Sequence, residues 1–290
     1  MGIDISGDSQ MEYIVLNHRQ TEQLGQYLLE DVRKKIETED ACVIGAVENA
    51  AVTGVGVFSY DEFSDGNVEC LYLYTVPERR NNGLSSGLLR YAEDMFKKQG
   101  VKQICFNLSD IANRMTVWNT FLTRNGYVLL DMNWHILEYH FESIEQSREI
   151  QRFRGQKLTF CSLNRRQITY MLHEDKSIPY MIRKIIRNEA DWQKSLFYSV
   201  QGHLAAGVMV RNNGADELSI HALYLSSHLK NRGILLVMLA QTVEMMKQLR
   251  SAEAKVYFYV ENQRQIEAYN VLFGTPAEDY QVCRMEKSLM

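Results

Sequence analysis

Arg80-Asn81-Asn82-Gly83-Leu84-Ser85-Ser86-Gly87 is the stretch on which the fold turns. Before it, Val68 to Val76 is rich in aromatic and β-branched residues and reads as a strand. After it, Leu84, Leu88, Tyr91, Met95 and Phe96 recur close to a 3.6-residue period and read as a helix that stops at Gly100. Pro77 ends the strand because it has no N–H for the ladder. A strand that runs through small residues into a helix N-terminus presents unpaired backbone N–H groups at the positive end of the helix dipole. Such a turn is a seat for phosphate. The sequence contains neither G-x-x-x-x-G-K-[ST] nor G-x-G-x-x-G followed by an acidic residue, which sets aside P-loop nucleotidases and dinucleotide readers.

Working outward, Lys102 to Leu108 reads as a strand and Asn113 to Arg124 as a helix with Met115, Trp118, Phe121 and Leu122 on one side. Asn125-Gly126-Tyr127 ends that helix and opens a further strand to Met132. Upstream, Ala41 to Val47 and Val52 to Tyr60 form an antiparallel hairpin, with Gly54 and Gly56 hinting at a bulge or a close approach. This series resembles the GNAT superfamily of acyl-CoA-dependent N-acyltransferases. Arg80, Gly83 and Ser85 stand at the three positions of that family's R/Q-x-x-G-x-G/A loop, serine being a small departure, and Gly87 takes a later small-residue position. Asn113 and Gly126-Tyr127 resemble its "Asn, helix, Gly-Phe" signature. The resemblance implies that the loop N–H groups hold the pyrophosphate of coenzyme A. The implied donor-binding set is Tyr74, Thr75, Val76, Arg80, Asn81, Asn82, Gly83, Leu84, Ser85, Ser86 and Asn113. It also implies that the acyl carbonyl meets a backbone N–H between Tyr74 and Val76, where neighbouring strands splay.

The same landmarks occur twice, at an offset of about 150 residues. Leu16-Asn17-His18-Arg19-Gln20 returns as Leu163-Asn164-Arg165-Arg166-Gln167, Gly56-Val57 as Gly207-Val208, Gly83 as Gly233 and Asn113 as Asn262. The expectation is therefore a tandem GNAT protein of α/β (α+β) class, each module a mixed, mainly antiparallel sheet flanked by helices. Residues 1–140 form the first module, 141–157 a charged connection able to form a surface helix, and 158–290 the second module. The second loop, Lys230-Asn231-Arg232-Gly233-Ile234-Leu235, has lysine first and leucine at the second small position, so its donor seat reads as degenerate. The unbroken apolar run from Ile234 to Ala240 reads as a helix buried on all sides.

The 290 residues carry a net charge of −4 and 46% hydrophobic residues, an ordinary globular composition with no attraction to nucleic acid or anionic membrane. No apolar run reaches the length of a membrane span, and the N-terminus lacks an apolar leader core. Cys42, Cys70, Cys105, Cys161 and Cys283 show no C-x-x-C spacing and read as reduced residues of a cytoplasmic protein. No histidine has metal-ligand spacing, so no metal is expected; His135 and His140 fall on a strand and His173-Glu174-Asp175 in a loop.

The chemistry that the resemblance implies needs a base, an oxyanion donor and a route for the thiolate to leave. Glu69, on the strand before the loop, is the catalytic candidate as base. Period-two alternation places it with Leu71, Leu73 and Thr75 on one face, and Cys70, Tyr72 and Tyr74 on the other. The helix after Asn113 has no tyrosine where relatives carry a general acid, whereas Tyr269 follows Asn262 at the matching distance in the second copy. The expected function is transfer of an acetyl group from acetyl-CoA, as donor substrate, to a small-molecule or peptide amine, in a monomer or homodimer. Two alternatives stand beside it: catalysis in the second module around Tyr269, and a non-catalytic CoA-binding or partner-binding protein.

Overall fold

The computed structural model describes residues 11–22, 24, 28, 30–37, 41–60, 66–109, 115–156, 163–188, 190–212, 218–229, 233–249 and 255–290. Two compact units emerge: Met1–Asp131 together with Cys283–Met290, and Met132–Val282. Residues 141–157, expected as the connection, fall inside the second unit, and the end of the chain falls inside the first.

In the first unit β1 (Glu12–Val15), β2 (Ala41–Glu48), β3 (Ala51–Tyr60), β4 (Asn67–Thr75) and β5 (Gln103–Ser109) lie side by side in that order. The C-terminal part of β11 (Glu278–Ser288) lies next to β5. β1 to β4 pair antiparallel, and β4 pairs parallel with β5, giving a mixed sheet. The β2–β3 turn is made by Asn49 and Ala50, both with positive φ, the geometry of a tight hairpin whose twist matches its strands. Alternation along β2 and β3 feeds two cores. Ile44, Ala46 and Phe58 pack with α3 (Leu84–Lys98), while Val43, Val55 and Val57 pack with Leu16, Leu24, Leu28 and with Val32 of α2 (Glu30–Glu37). α4 (Met115–Arg124) adds Leu122 and Trp118 to the α3 side.

The second unit repeats this order. α7 (Arg165–Glu174) and α8 (Tyr180–Asn188) precede β7 (Leu196–Val200), β8 (His203–Asn212) and β9 (Leu218–Leu225). Then come α9 (Gly233–Leu249), β10 (Lys255–Val260) and α10 (Gln263–Phe273). The strands run β6-β10-β9-β8-β7, with β6 (Val128–His140) entering this unit from residue 132 and pairing antiparallel with β10. Duplication shows in detail. Asn17 and Gln20 make reciprocal backbone–side-chain hydrogen bonds of 2.9 and 3.0 Å at the start of α1 (His18–Glu22), and Asn164 and Gln167 make the same pair at α7. The recurring Leu-Asn-x-Arg-Gln sequence is thus a capping box used twice.

Several expectations need correction. His173 and Glu174 are in the last turn of α7, not in a loop. Residues 141–157 do not form one exposed helix: α5 (Phe141–Gln146) and α6 (Arg148–Phe153) bury Phe141, Ile144 and Ile150 in the core of the second unit. Lys247–Glu145 (2.6 Å) and Arg154–Glu244 (2.9 Å) ion pairs tie them to α9. Residue 157 lies outside the described residues. The first turn of α9 is only half-buried at Ile234 and Leu235, while Val237 to Ala240 are enclosed, so that helix is not buried all round.

Candidate functional site

The face assignment along β4 is the main change from the sequence reading. Register shifts between Val57 and Phe58, so that Val57 pairs with Tyr72 but Phe58 with Cys70, leaving Leu71 as an extra residue. A β-bulge of this kind reverses the alternation of every side chain beyond it. Leu73 therefore joins Val68 and Cys70 in the α3-side core, and Leu71, Tyr72 and Tyr74 pack on the opposite side. Glu69 stays on the side of Tyr72 and Tyr74 rather than sharing a face with Leu73 and Thr75.

β4 and β5 pair in parallel from Asn67↔Gln103 to Glu69↔Cys105 and then part. Beyond Glu69 no further β4–β5 ladder pair forms among the described residues. The amide of Val76 donates to Thr53 O (3.0 Å), on the β3 side. Amides alternate along an antiparallel ladder, so those of Leu73 and Thr75 point into the opening. Among Tyr74, Thr75 and Val76, only Thr75 thus offers an N–H there. Its carbonyl on the same edge accepts from Arg80 Nε (3.1 Å), and the Arg80 guanidinium lies 5.8 Å over the Tyr74 ring. Arg80 is folded back on the strand end and stabilises it.

The turn then runs through a 3-10 segment, Pro77–Arg79, pinned by an ion pair between Arg79 and the buried Glu48. Asn81 (φ 65°) and Gly83 (φ 74°) are both left-handed, and Gly83 is the N-cap of α3. It has no side chain to satisfy the first amides of the helix. Among the described residues a Cβ placed on Gly83 would meet nothing within 4 Å, so the turn is open at that point. Leu84 is buried in the α3 core, and Ser85 Oγ bonds Thr75 Oγ1 at 2.7 Å, joining helix to strand. Leu84 and Ser85 can therefore serve a phosphate through their amides. Asn113 lies outside the described residues.

Gly87 has a different reason. A Cβ there would lie 1.8 Å from the Tyr13 hydroxyl and 2.4 Å from its Cζ, because Tyr13 packs flat against Tyr91 across the first turns of α3. Glycine to alanine inside a helix ordinarily gains about 1 kcal/mol. Gly87→Ala is instead expected to destabilise the first unit by roughly 1–3 kcal/mol through overpacking. A urea melt showing a net gain would refute that account.

On the side of β4 opposite α3, Glu69 is 9% exposed and its Oε1 accepts from Asn107 Nδ2 at 2.9 Å. Among the described residues Asn107 Oδ1 is buried with no hydrogen-bond partner, an arrangement that costs about 1–3 kcal/mol unless something donates to it. Sequence reading missed Asn107, since a strand asparagine carries no motif. Tyr72 and Tyr74 stack beside this pair at 6.2 Å with 9° between ring planes. Burial raises the Tyr72 phenol, with Tyr74 adding to the shift.

The corresponding place in the second unit has different chemistry. The bulge is reproduced, Met209 pairing with Ala222 and Val210 with Ile220, and Ser226 N donates to Ala205 O as Val76 does to Thr53. Aligned on that bulge, Ser219 replaces Glu69 and Tyr257 replaces Asn107. Leu235 packs partly against the core beneath α9, and residues 230–232 lie outside the described residues. Tyr269 stacks on Phe258 (4.9 Å) and Phe273, and burial next to Tyr139 pushes its phenol well above the ordinary tyrosine range. It is a packing residue of that core. His221 faces Tyr257, and His228 is exposed.

Cys42, Cys70, Cys105 and Cys283 are free thiols; Cys161 lies outside the described residues. Among the described residues no group of three or more His, Cys, Asp or Glu could hold a metal, and no helix is long and apolar enough to cross a membrane.

Residues 12–115 match the model of the acetyltransferase (GNAT) family. No curated protein matches the sequence. Among solved structures, a tandem GNAT protein from the clavulanic acid biosynthesis pathway is similar over 97% of this chain and 99% of its own, at 11% identity and a TM-score of 0.63. A glucosamine N-acetyltransferase region of a fungal multi-domain GH3 β-N-acetylglucosaminidase is similar over 96% of this chain and 38% of its own (12% identity, TM-score 0.68). A probable N-acyltransferase from Enterococcus faecalis V583 is similar over 97% of this chain and 72% of its own (11% identity, TM-score 0.60). At such identities these likenesses speak for the fold. Residues 12–115 thus match a GNAT acetyltransferase domain, and the mixed α/β architecture, repeated in two copies, is the fold shared with the tandem GNAT structure.

Proposed function

We propose that the chain transfers an acetyl group from acetyl-CoA to an amine, with the donor held by the first unit. The observation that carries this reading is the continuity of the β4–β5 opening with the uncapped, sterically open amides at Gly83. The pyrophosphate would sit on the amides of residues 81–86, helped by the positive end of α3. The Thr75 amide would donate to the thioester carbonyl as charge develops on its oxygen. Glu69 is the group that takes a proton from the amine, directly or through water, and Asn107 Nδ2 holds its carboxylate in place. The orphaned Asn107 Oδ1 supplies a second acceptor for an amine N–H. Departure of the thiolate does not demand a dedicated acid, because a thiol of ordinary pKa about 8.5 is a tolerable leaving group. A cytoplasmic setting is consistent with the free thiols of Cys42, Cys70, Cys105 and Cys283.

Replacement of Glu69 by Ser219 and the packed state of Tyr269 favour the first unit over the second as the site of chemistry. The test is acetyl-CoA binding by calorimetry to the natural chain, Gly83→Val and Gly233→Val. Loss of binding in Gly83→Val alone is the expected result, because valine is strained at positive φ and its branches fill the open space. Loss in Gly233→Val alone would move the donor to the second unit. Failure of the natural chain to bind would leave a partner-binding protein as the better reading.

A further inference from the structure

A second site lies on α7 and α8, on residues that the proposed acetyl transfer does not use. A groove of about 550 Å³ is lined by Arg165, Arg166, Thr169, Tyr170, His173 and Arg187. We propose that it binds a small, multiply charged oxyanion, a molecule carrying two or more phosphate or carboxylate groups.

Helical spacing assembles the lining. Arg165, Thr169 and His173 follow one another at four-residue steps along α7, Arg166 and Tyr170 flank them, and Arg187 comes from the last turn of α8. Three guanidinium groups and an imidazole therefore line one groove. The planar Arg165 guanidinium lies 5.7 Å over the Trp192 ring, a cation–π contact that restrains it. A planar fork of that kind grips phosphate and carboxylate through paired hydrogen bonds. Thr169 adds a hydroxyl, and Tyr170, 66% exposed, adds an aromatic wall for the body of the ligand.

Two comparisons within the chain mark the groove as a specific feature. The net charge is −4, so a groove lined by three arginines and a histidine is a local reversal. By the Leu-Asn-x-Arg-Gln alignment the first copy has His18, Arg19, Glu22, Gln23 and Gln26 where the second has Arg165, Arg166, Thr169, Tyr170 and His173. The cationic lining thus belongs to the second copy alone, the one whose donor loop departs from the family pattern. A chain of net charge −4 with arginines gathered in one groove suits a small anion better than RNA.

The experiment is calorimetric titration of the full chain with inorganic pyrophosphate and, separately, with citrate, in the presence of saturating coenzyme A to occupy the amides near Gly83. Saturable binding is expected, weakening as salt is raised. Arg166→Glu and Arg187→Glu should each weaken it about tenfold or more, and Arg264→Glu, exposed on α10, should leave it unchanged. Stronger binding of pyrophosphate would assign phosphate groups, and stronger binding of citrate would assign carboxylates. No binding of either probe, equal binding by both groove variants with melting temperature unchanged, or binding of RNA or polyglutamate alone would overturn the proposal. None of these outcomes depends on acetyl transfer, so the two readings can fail separately.

Discussion

A chain ending at Val282 is expected to lose the first unit, although the deleted residues lie more than 150 positions from the rest of that unit in sequence. Met285 and Leu289 are buried among Phe96, Ile104, Phe106, Leu122 and Tyr127. Leu289 N donates to Lys102 O at 2.9 Å. Lys287 Nζ bonds Glu93 Oε2 (2.6 Å) and Asn125 O (3.0 Å), while the Tyr127 hydroxyl bonds Glu93 Oε1 (3.1 Å). Burial and the neighbouring Glu93 push the Tyr127 phenol far above its ordinary range, so it remains the donor in that pair. Removing two buried apolar side chains costs about 2–5 kcal/mol each. Leaving a buried carboxylate without its cation costs about 3–5 kcal/mol more. A domain holds only about 5–15 kcal/mol in all. The truncated chain should therefore lose the urea transition of the first unit, and protease should degrade residues 1–131 before the second unit. An unchanged transition would refute this account of the C-terminal strand. By the same reasoning, a fragment cut at residue 140 should be insoluble unless residues 278–290 are supplied.

Glu69→Gln is expected to lower the rate of CoA release with an accepted amine by about 10²–10⁴-fold, the usual worth of a general base. Glutamine keeps an acceptor for Asn107 Nδ2 and nearly the same volume, so the acetyl-CoA Kd and the melting temperature should hold. Asn107→Leu should reduce turnover in the same direction but by less, since it disturbs the carboxylate without removing it. Retention of full turnover by Glu69→Gln would strip Glu69 of the role and leave the Thr75 amide and donor positioning as the chemistry of the site.

Much of the architecture was legible because it is written in local chemistry. The left-handed Gly83, the hairpin at Asn49-Ala50 and the helices on either side of each sheet follow from residues a few positions apart. The repeat was legible too, and the paired capping boxes at Asn17 and Asn164 give its physical reason: both copies must satisfy the same helix-start amides. What escaped is non-local. Leu71 looks like any strand leucine, yet its insertion opposite the Val57–Phe58 step reverses the face of everything after it. Asn107 acquires meaning only because parallel pairing ends beside Glu69.

The sequence by itself thus determined the fold class, the two-copy plan and the strand–loop–helix that presents open amides at Gly83, because turn geometry and helix periodicity are short-range. Tertiary structure decided which side of β4 the candidate base occupies and which amide faces the opening. It also decided which unit the last strand completes. Those depend on register and on pairing between segments far apart in the chain, and no single segment encodes the partner it will meet.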